Sequence, residues 1–293
     1  MSAWTIARRA QIGAALASCG DAEELGANRW RLDLGGPASF VEWEGEWLRF
    51  DCSVASRPTS ETRSFWHLLS LQHALPPGPK LIAPRGAALH LLADVDVAAS
   101  SDIAADVRRM CVTMRDAHEA LRRPSPQPGS EPDDATALSE SLRQSCSECG
   151  WKVTNRGARR LAVDLAITGD FAQATVERRR GVIVADAAVT DDEVSSEVCR
   201  EALGLLLLRL NGAVRLVRAS VRPEALAPYL EAYASDDPGA AALDRLFSAL
   251  SVAWSMVGRE ARVLAEDESL ARLFLKSHHR GAAEGRFEAH SDV

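Results

Sequence analysis

Cysteine and histidine are the side chains best suited to redox, metal or acid–base chemistry, and the chain has six cysteines and seven histidines. Cys146 and Cys149 form a C-x-x-C motif, a spacing used in redox centres and in tetrahedral zinc sites. No second C-x-x-C or nearby histidine completes a set of four zinc ligands. A redox motif belongs at the start of a helix, whereas this pair ends a predicted helix before Gly150. We therefore interpret both thiols as structural.

The histidines show no pattern of a catalytic or metal site. The chain contains no G-x-S-x-G nucleophile turn, no G-x-G-x-x-G and no G-x-x-x-x-G-K-[ST] loop. His278 and His279 lie in the stretch from Lys276 to Val293, which we predict to be a flexible tail without a preorganised metal site. Four other histidines lie inside predicted helices or strands: His67, His73, His90 and His118. The sequence thus predicts no catalytic residue, no metal ligand and no cofactor, and a protein that is not an enzyme.

The composition is that of a soluble globular protein, with 46% hydrophobic residues, 26% charged residues and a net charge of −7. The acidic balance and the lack of a basic stripe argue against nucleic-acid binding. The longest apolar run, Leu203–Leu208, is far shorter than the ~20 residues of a membrane span, so we expect no membrane insertion. Dispersed cysteines and an N-terminus without a signal-peptide pattern predict a cytoplasmic protein.

A proline-rich stretch divides the chain near its middle. Residues 122–134 read RRPSPQPGSEPDD and include no hydrophobic residue. Such a segment buries no apolar surface to offset the entropy lost on ordering, which is typical of a linker. The predicted organisation is a first unit over 1–122, a linker over 123–134, a second unit over 135–265, and a C-terminal helix with a flexible tail over 266–293.

The two flanking segments repeat one order of predicted elements: a helix, three strands, a helix, two strands and a helix. The first helix ends in Cys19-Gly20 in one half and in Cys149-Gly150 in the other, and glycine there is typical of a left-handed helix cap. The pattern predicts an α+β protein of two tandem α-β-β-β-α-β-β-α units, each an antiparallel sheet packed with helices.

The second helix of each half is the most leucine-rich element. We predict it over 60–74 and over 191–210, with Ser60 and Asp191 as N-caps and Asn211-Gly212 ending the later helix. Further along, residues 225–233 stay open between a strand and a helical turn because they include Pro228.

The stretch from Leu203 to Val221, LGLLLLRLNGAVRLVRASV, with a looser echo from Leu68 to Leu92, resembles the type III secretion chaperone-like fold, which includes the YbjN-like proteins. The resemblance implies an antiparallel sheet with packed helices and no catalytic residues. It also implies pairing as homodimers, which a tandem chain would replace by an internal pseudo-dimer. Members of this group hold an extended segment of a partner protein on exposed hydrophobic surface.

The hairpin from Phe40 to Phe50 is the most distinctive candidate surface. A turn at Glu44-Gly45 places one set of side chains on one face, namely Val41, Trp43, Leu48 and Phe50, and a second set on the other, namely Phe40, Glu42, Trp47 and Arg49. We expect one tryptophan in the core and the other partly exposed, the alternative being that both are packed. Phe40, Trp47 and Arg49 are therefore the predicted partner-binding residues.

The predicted function is a chaperone-like or adaptor-like module that binds a segment of a partner protein. Two alternatives stay open at this point. One is a structural subunit of a larger assembly, and the other is a small-molecule sensor or an enzyme that uses a cleft between the units.

Overall fold

The structure, a computed structural model, describes residues 3–36, 38–54, 64–85, 88–122, 137–167, 170–179, 181–190, 193–194, 196–222 and 227–288. Over these ranges the chain forms seven helices and two antiparallel six-stranded sheets, which confirms the predicted α+β class. The predicted linker, 123–134, and the predicted N-caps Ser60 and Asp191 lie outside the described residues.

The elements of the two repeats follow one another along the chain in the same sequence. The first repeat contains α1 (Ala3–Cys19), β1 (Asp21–Gly26), β2 (Arg29–Asp33), β3 (Ser39–Glu44), β4 (Trp47–Val54), α2 (Phe65–His73), β5 (Lys80–Arg85), β6 (Ala88–Asp96) and α3 (Ile103–Arg122). The second contains α4 (Glu140–Glu148), β7 (Val153–Asn155), β8 (Arg160–Leu165), β9 (Ala172–Arg179), β10 (Val182–Ala188), α5 (Glu197–Ala213), β11 (Val217–Arg222), β12 (Ala227–Ala234) and α6 (Ala240–Glu266). Helix α7 (Glu268–Glu288) follows the second repeat.

Both sheets have the same topology. The strand order is β1-β2-β3-β4-β6-β5 in the first sheet and β7-β8-β9-β10-β12-β11 in the second. Each sheet has one strand more than predicted, because β1 and β7 precede the three strands expected between the first two helices. β1 reads Asp-Ala-Glu-Glu-Leu-Gly and is largely exposed, and β7 has only three residues. Edge strands of this kind lack the apolar alternation by which a strand is predicted.

The first compact unit consists of Met1–Thr62 and Ala74–Pro126. Its core lies between one face of the first sheet and helices α1 and α3. The ring of Trp4 in α1 lies 6.3 Å from that of Trp43 in β3. The buried side chains of β2, β3 and β4 on this face are Trp30, Leu32, Ser39, Val41, Trp43, Leu48, Phe50 and Cys52. This alternation confirms the predicted inner face of the hairpin.

The second compact unit consists of Arg63–His73 and Gln127–Val293, so it includes α2 from the first repeat. Helix α6 packs one apolar face on the sheet, where the Trp254 indole N–H donates to the carbonyl of Ala188 at 3.1 Å. The leucine-rich helix α5 is buried over most of its surface and contacts α2, α6, α7 and β11. A helix that is apolar on all sides needs partners on all sides, and these four elements supply them.

A side chain of α5, that of Glu201, anchors the N-terminal end of α2. The Glu201 carboxylate accepts the backbone N–H of Phe65 at 2.8 Å and that of Trp66 at 3.4 Å. These are N–H groups that the first turn of a helix cannot pair internally. The predicted first unit, 1–122, had included this helix. In the structure the second unit holds the second helix of both repeats.

Helix α5 does not end at Asn211-Gly212 as predicted, because it continues to Ala213. The buried side-chain amide of Asn211 instead binds the backbone of Ala219 on β11: its oxygen accepts the N–H at 2.6 Å and its nitrogen donates to the carbonyl at 3.4 Å. β11 is an edge strand, so the amide occupies the place of a neighbouring strand at this residue.

Of the stretch 225–233, which was left open between a strand and a helical turn, the described residues 227–233 belong to the strand β12. β12 lies inside the sheet between β11 and β10, not at an edge. Pro228 is tolerated near the start of the strand, and its carbonyl still accepts the N–H of Val189 at 3.0 Å.

The helix ends at the two Cys-Gly pairs differ from each other. Gly150 has a φ of +82° and caps α4 in the left-handed conformation, as predicted. Gly20 is not in that conformation. Its lack of a side chain instead allows the carbonyl of Asp33 to approach closely, which any Cβ would prevent.

The C-terminal prediction requires correction, because α7 continues past Lys276 as far as Glu288, where a tail was expected, while residues 289–293 lie outside the described residues. Packing on α5 and α2 explains the difference. The Arg209 guanidinium lies 5.4 Å from the centre of the Phe274 ring, and the ring of His278 meets that of Phe65 edge-on at 6.1 Å. His278 therefore lies in a packed helix and not in a solvated tail.

Candidate functional site

The second face of the first sheet is exposed along β2 and β3. Both strands alternate strictly between buried and exposed side chains. We call the exposed set on this side the open face, and it consists of Arg29, Arg31, Asp33, Phe40, Glu42 and Glu44. In the corresponding strands of the second sheet, β8 and β9, the side chains are buried or half-buried except for Arg160. The open face is thus a feature of the first sheet that its repeat does not share.

The three predicted partner-binding residues all lie on the side of the open face. Phe40 is paired across the strands with Asp51, Arg49 with Glu42, and Trp47 with Glu44. This register puts the turn at Gly45-Glu46, one residue later than predicted. The assignment of side chains to the two faces is the same for both turns, so the predicted faces are confirmed.

Phe40 is the most exposed aromatic side chain of this hairpin, with 39% of its surface accessible. The guanidinium of Arg29 on β2 lies 5.1 Å from the centre of its ring, in a cation–π contact. Arg31 is paired directly across from Phe40. Both arginines were missed as site residues, although the alternating sequence Arg-Trp-Arg-Leu-Asp of β2 is the signal that places them beside Phe40.

The two tryptophans of the hairpin differ as expected. Trp43 is 5% exposed, and its indole N–H donates to the carbonyl of Gly45 at 2.8 Å. Trp47 is half-buried and lies across from Glu44 on one side and Asp96 on the other. Trp47 therefore extends the open face toward the end of the hairpin.

Arg49 has a different environment from Phe40, because it belongs to an ion cluster. Its Nε lies 3.0 Å from Oδ1 of Asp94, and Nζ of Lys80 lies 3.6 Å from Oδ2 of the same carboxylate. The Asp94 side chain is only 2% exposed. Next to this cluster, Nδ1 of His90 lies 2.7 Å from Oδ1 of Asp51. Arg49 is thus engaged in a buried pair, and Phe40, Trp47, Arg29 and Arg31 remain as the accessible residues.

The matching face of the second sheet carries a larger ion cluster. Arg218 on β11 is paired across from Glu231 on β12, with Nε at 3.1 Å from Oε2, and the Tyr233 hydroxyl donates to the same oxygen at 2.7 Å. Asp186 on β10 accepts from Arg222 at 2.5 Å and from Arg179 at 3.3 Å. Asp186, Arg218 and Glu231 are buried, the other members are half-buried, and each buried charge has an opposite charge beside it, as buried charges must.

The pKa values in this cluster follow from burial and from the arginines. Burial raises the pKa of Asp186 although Arg222 and Arg179 oppose it. Burial also acts to raise the pKa of Glu231, but Arg218 and the Tyr233 hydroxyl outweigh it, and the pKa lies below the ordinary glutamate value. Burial raises the pKa of Tyr233 well above its usual range. The Arg218–Glu231–Tyr233 group is therefore an ion pair with a neutral phenol donor.

The C-x-x-C pair lies at the end of α4, where Cys149 is the C-cap and Cys146 is buried. The Cys149 thiol donates to the carbonyl of Cys146 at 2.9 Å. Burial raises the pKa of Cys146 to about 12 and also raises the pKa of Cys149. Across the described ranges, no group of three or more His, Cys, Asp or Glu side chains converges as a metal site requires.

The fold and site define an α+β protein of two repeated sheet–helix units with an open sheet face on the first sheet. Comparison with models of known protein families, with curated proteins and with solved structures finds no match to this chain. Among the residues that the structure describes, one helix, α6, is long and apolar enough to cross a membrane by length and composition. Core helices of soluble proteins meet the same criterion, and 44% of the apolar window of α6 is buried in the fold.

Proposed function

We propose that this protein is a non-enzymatic, chaperone-like or adaptor-like module that holds an extended segment of a partner protein on the open face of its first sheet. The observation that carries the proposal is Phe40, an aromatic side chain 39% exposed on a strand whose other outward side chains are charged. The proposal agrees with the resemblance to chaperone-like folds. Because we expect the protein to be cytoplasmic, we expect a cytoplasmic partner.

The open face combines the side-chain types that contribute most binding energy in protein interfaces. Aromatic and arginine side chains are enriched among the residues whose truncation costs about 2 kcal/mol or more. The cation–π contact with Arg29 orders the Phe40 ring before a partner arrives, and preorganisation lowers the entropy lost on binding. Trp47 adds a second aromatic surface at the end of the same hairpin.

The charges beside Phe40 indicate the chemistry of the segment. Arg29 is paired across from Glu42, whereas Arg31 is 57% exposed and lies 4.0 Å from a carboxylate oxygen of Glu23, the outer limit of an ion pair. Arg31 is therefore the cation of the open face that a partner carboxylate can engage. The segment that fits is extended and carries an apolar side chain for Phe40 next to an acidic residue for Arg31.

The experiment that tests the proposal uses the full chain as bait in a lysate of its source cells, with retained proteins quantified by mass spectrometry. Phe40→Ala and Trp47→Ala are compared with Phe171→Ala, an exposed aromatic residue in the second unit that is 65% accessible. We expect Phe40→Ala to weaken capture of the partner at least tenfold, about 1.4 kcal/mol. Trp47→Ala is expected to weaken capture without unfolding the protein.

The control separates a specific surface from general stickiness. A partner bound by this face is retained by the Phe171→Ala protein and lost from the Phe40→Ala protein, while circular dichroism shows both variants folded. Equal retention by all variants, or equal loss from Phe40→Ala and Phe171→Ala, contradicts the proposal. A charge test follows: Arg31→Glu should abolish capture more completely than Arg109→Glu on α3, where Arg109 is also exposed.

A further inference from the structure

A separate cavity of about 120 Å³ lies in the first unit, between the turn that follows β2 and the C-terminal half of α3. The side chains that determine its chemistry are Ser39 and Cys52, which are buried, together with Arg115, His118 and Arg122 of α3. The three residues of α3 are spaced at i, i+3 and i+7, so they lie along one side of the helix. Three potentially cationic groups thus line one wall of a small cavity.

The wall is held in place by contacts to the backbone. Arg115 donates from Nε to the carbonyl of Leu34 and from Nη2 to the carbonyl of Cys19, each at 3.2 Å. The ring of His118 packs on Gly36, where a Cβ would lie 3.0 Å from the ring. Arg122, the last residue of α3, is exposed and free of such backbone contacts in the part of the chain that the structure describes.

The charge balance of the cavity favours an anion. Glu119 is the single acidic residue in the lining, against two arginines and one histidine. Burial, followed by the charge of Arg122, lowers the pKa of His118, so in the free protein the imidazole is neutral at neutral pH. An anion in the cavity would offset the charge of Arg122 and favour the imidazolium form.

We propose that this cavity binds a small tetrahedral oxyanion of the phosphate or sulfate type, held by Arg122, Arg115 and protonated His118. The volume decides the size of the ligand, because pockets for drug-sized molecules measure about 300–1,000 Å³, several times more than this cavity. Ser39 and Cys52, whose side chains are hydrogen-bonded to each other, form the buried neutral part of the lining. The proposal does not rest on the binding function of the open face.

The test is a titration of the full-length protein with sulfate, followed by the NMR signals of the His118 imidazole and by calorimetry. Sulfate keeps a constant charge over the relevant range, so any pH dependence belongs to the protein. Anion binding should tighten as the pH falls from about 7.5 to about 5.5, because His118 gains its proton below the ordinary histidine pKa of about 6.5. The pKa of His118 should also rise when sulfate saturates the protein.

Arg122→Met and Arg108→Met provide matched variants, because both remove an exposed arginine from α3 and only Arg122 lines the cavity. Binding should weaken at least about tenfold in Arg122→Met and stay within about twofold in Arg108→Met. His118→Gln should keep binding but lose its pH dependence. The proposal is overturned by a His118 signal that does not respond to sulfate, or by equal losses in the two methionine variants. A second arm with inorganic phosphate at constant pH should show competition with sulfate for the same site.

Discussion

Gly204 of α5 and Trp66 of α2 approach so closely that a Cβ on the glycine would lie 2.7 Å from the backbone nitrogen of the tryptophan. The same Cβ would lie 2.8 Å from the carbonyl carbon of Phe65. Backbone atoms cannot move aside as a flexible side chain can. The contact therefore sets how closely α2 packs on α5, and α2 reaches this position from the other repeat.

Substitution of Gly204 tests this packing. Gly204→Ala should lower the urea midpoint of unfolding, because overpacking costs about 1–3 kcal/mol and outweighs the ~1 kcal/mol that alanine gains over glycine inside a helix. Gly26→Ala is the control, since nothing lies within 4 Å of a Cβ at Gly26. A Gly204→Ala protein that is as stable as the Gly26→Ala protein, or more stable, would show that α2 does not depend on this contact.

A second test concerns the side chain of Asn211. This side chain hydrogen-bonds both backbone groups of Ala219 at the edge of the second sheet. Asn211→Ala leaves buried polar groups without these partners, which costs about 1–3 kcal/mol for a buried donor or acceptor. Hydrogen exchange of the Ala219 amide should accelerate along with the loss in stability. Asn28→Ala, at an exposed turn, should change neither quantity. Unchanged exchange at Ala219 in Asn211→Ala would argue against the edge-pairing role.

Two ion pairs of the second unit differ in burial and therefore in expected energy. The side chains of Arg218 and Glu231 are 5% and 2% exposed, whereas those of Arg178 and Asp236 are 34% and 43% exposed. Glu231→Gln leaves the Arg218 charge buried without its partner and should cost about 3–5 kcal/mol. Asp236→Asn should lower the urea midpoint far less, because solvent screens the pair. Urea unfolding of both variants measures the difference, and equal losses would contradict it.

The thiols provide a prediction about reactivity. Burial raises the pKa of Cys52, Cys111, Cys146 and Cys149, and the thiolate is the form that reacts. We expect these four to react with iodoacetamide at about pH 7.5 far more slowly in the folded protein than in denaturant. Peptide mapping by mass spectrometry gives each rate. Fast labelling of Cys146 or Cys149 in the folded protein would instead favour a redox role for the C-x-x-C pair.

Much of the candidate site follows from local sequence. The period of two in the hairpin assigns Phe40 and Trp47 to one face and Trp43 to the other, whichever of the two turn positions is used. The ion pair of Arg49 with Asp94 was not predicted, because these residues are on strands separated by an entire helix and another strand. Pairing of β4 with β6 brings them together, and no local pattern specifies which charge lies across from which.

The sequence by itself determined the class of fold, the repeat and the inner face of most elements, because these depend on the spacing of apolar residues along one helix or strand. Only the tertiary structure decided where α2 packs, what Asn211 binds and why α7 stays helical past Lys276. Glu201 and Phe65 are 136 positions apart, yet their contact anchors α2. Periodicity specifies which side of an element is apolar, but the element that covers that side is selected by long-range packing, which a local pattern does not encode.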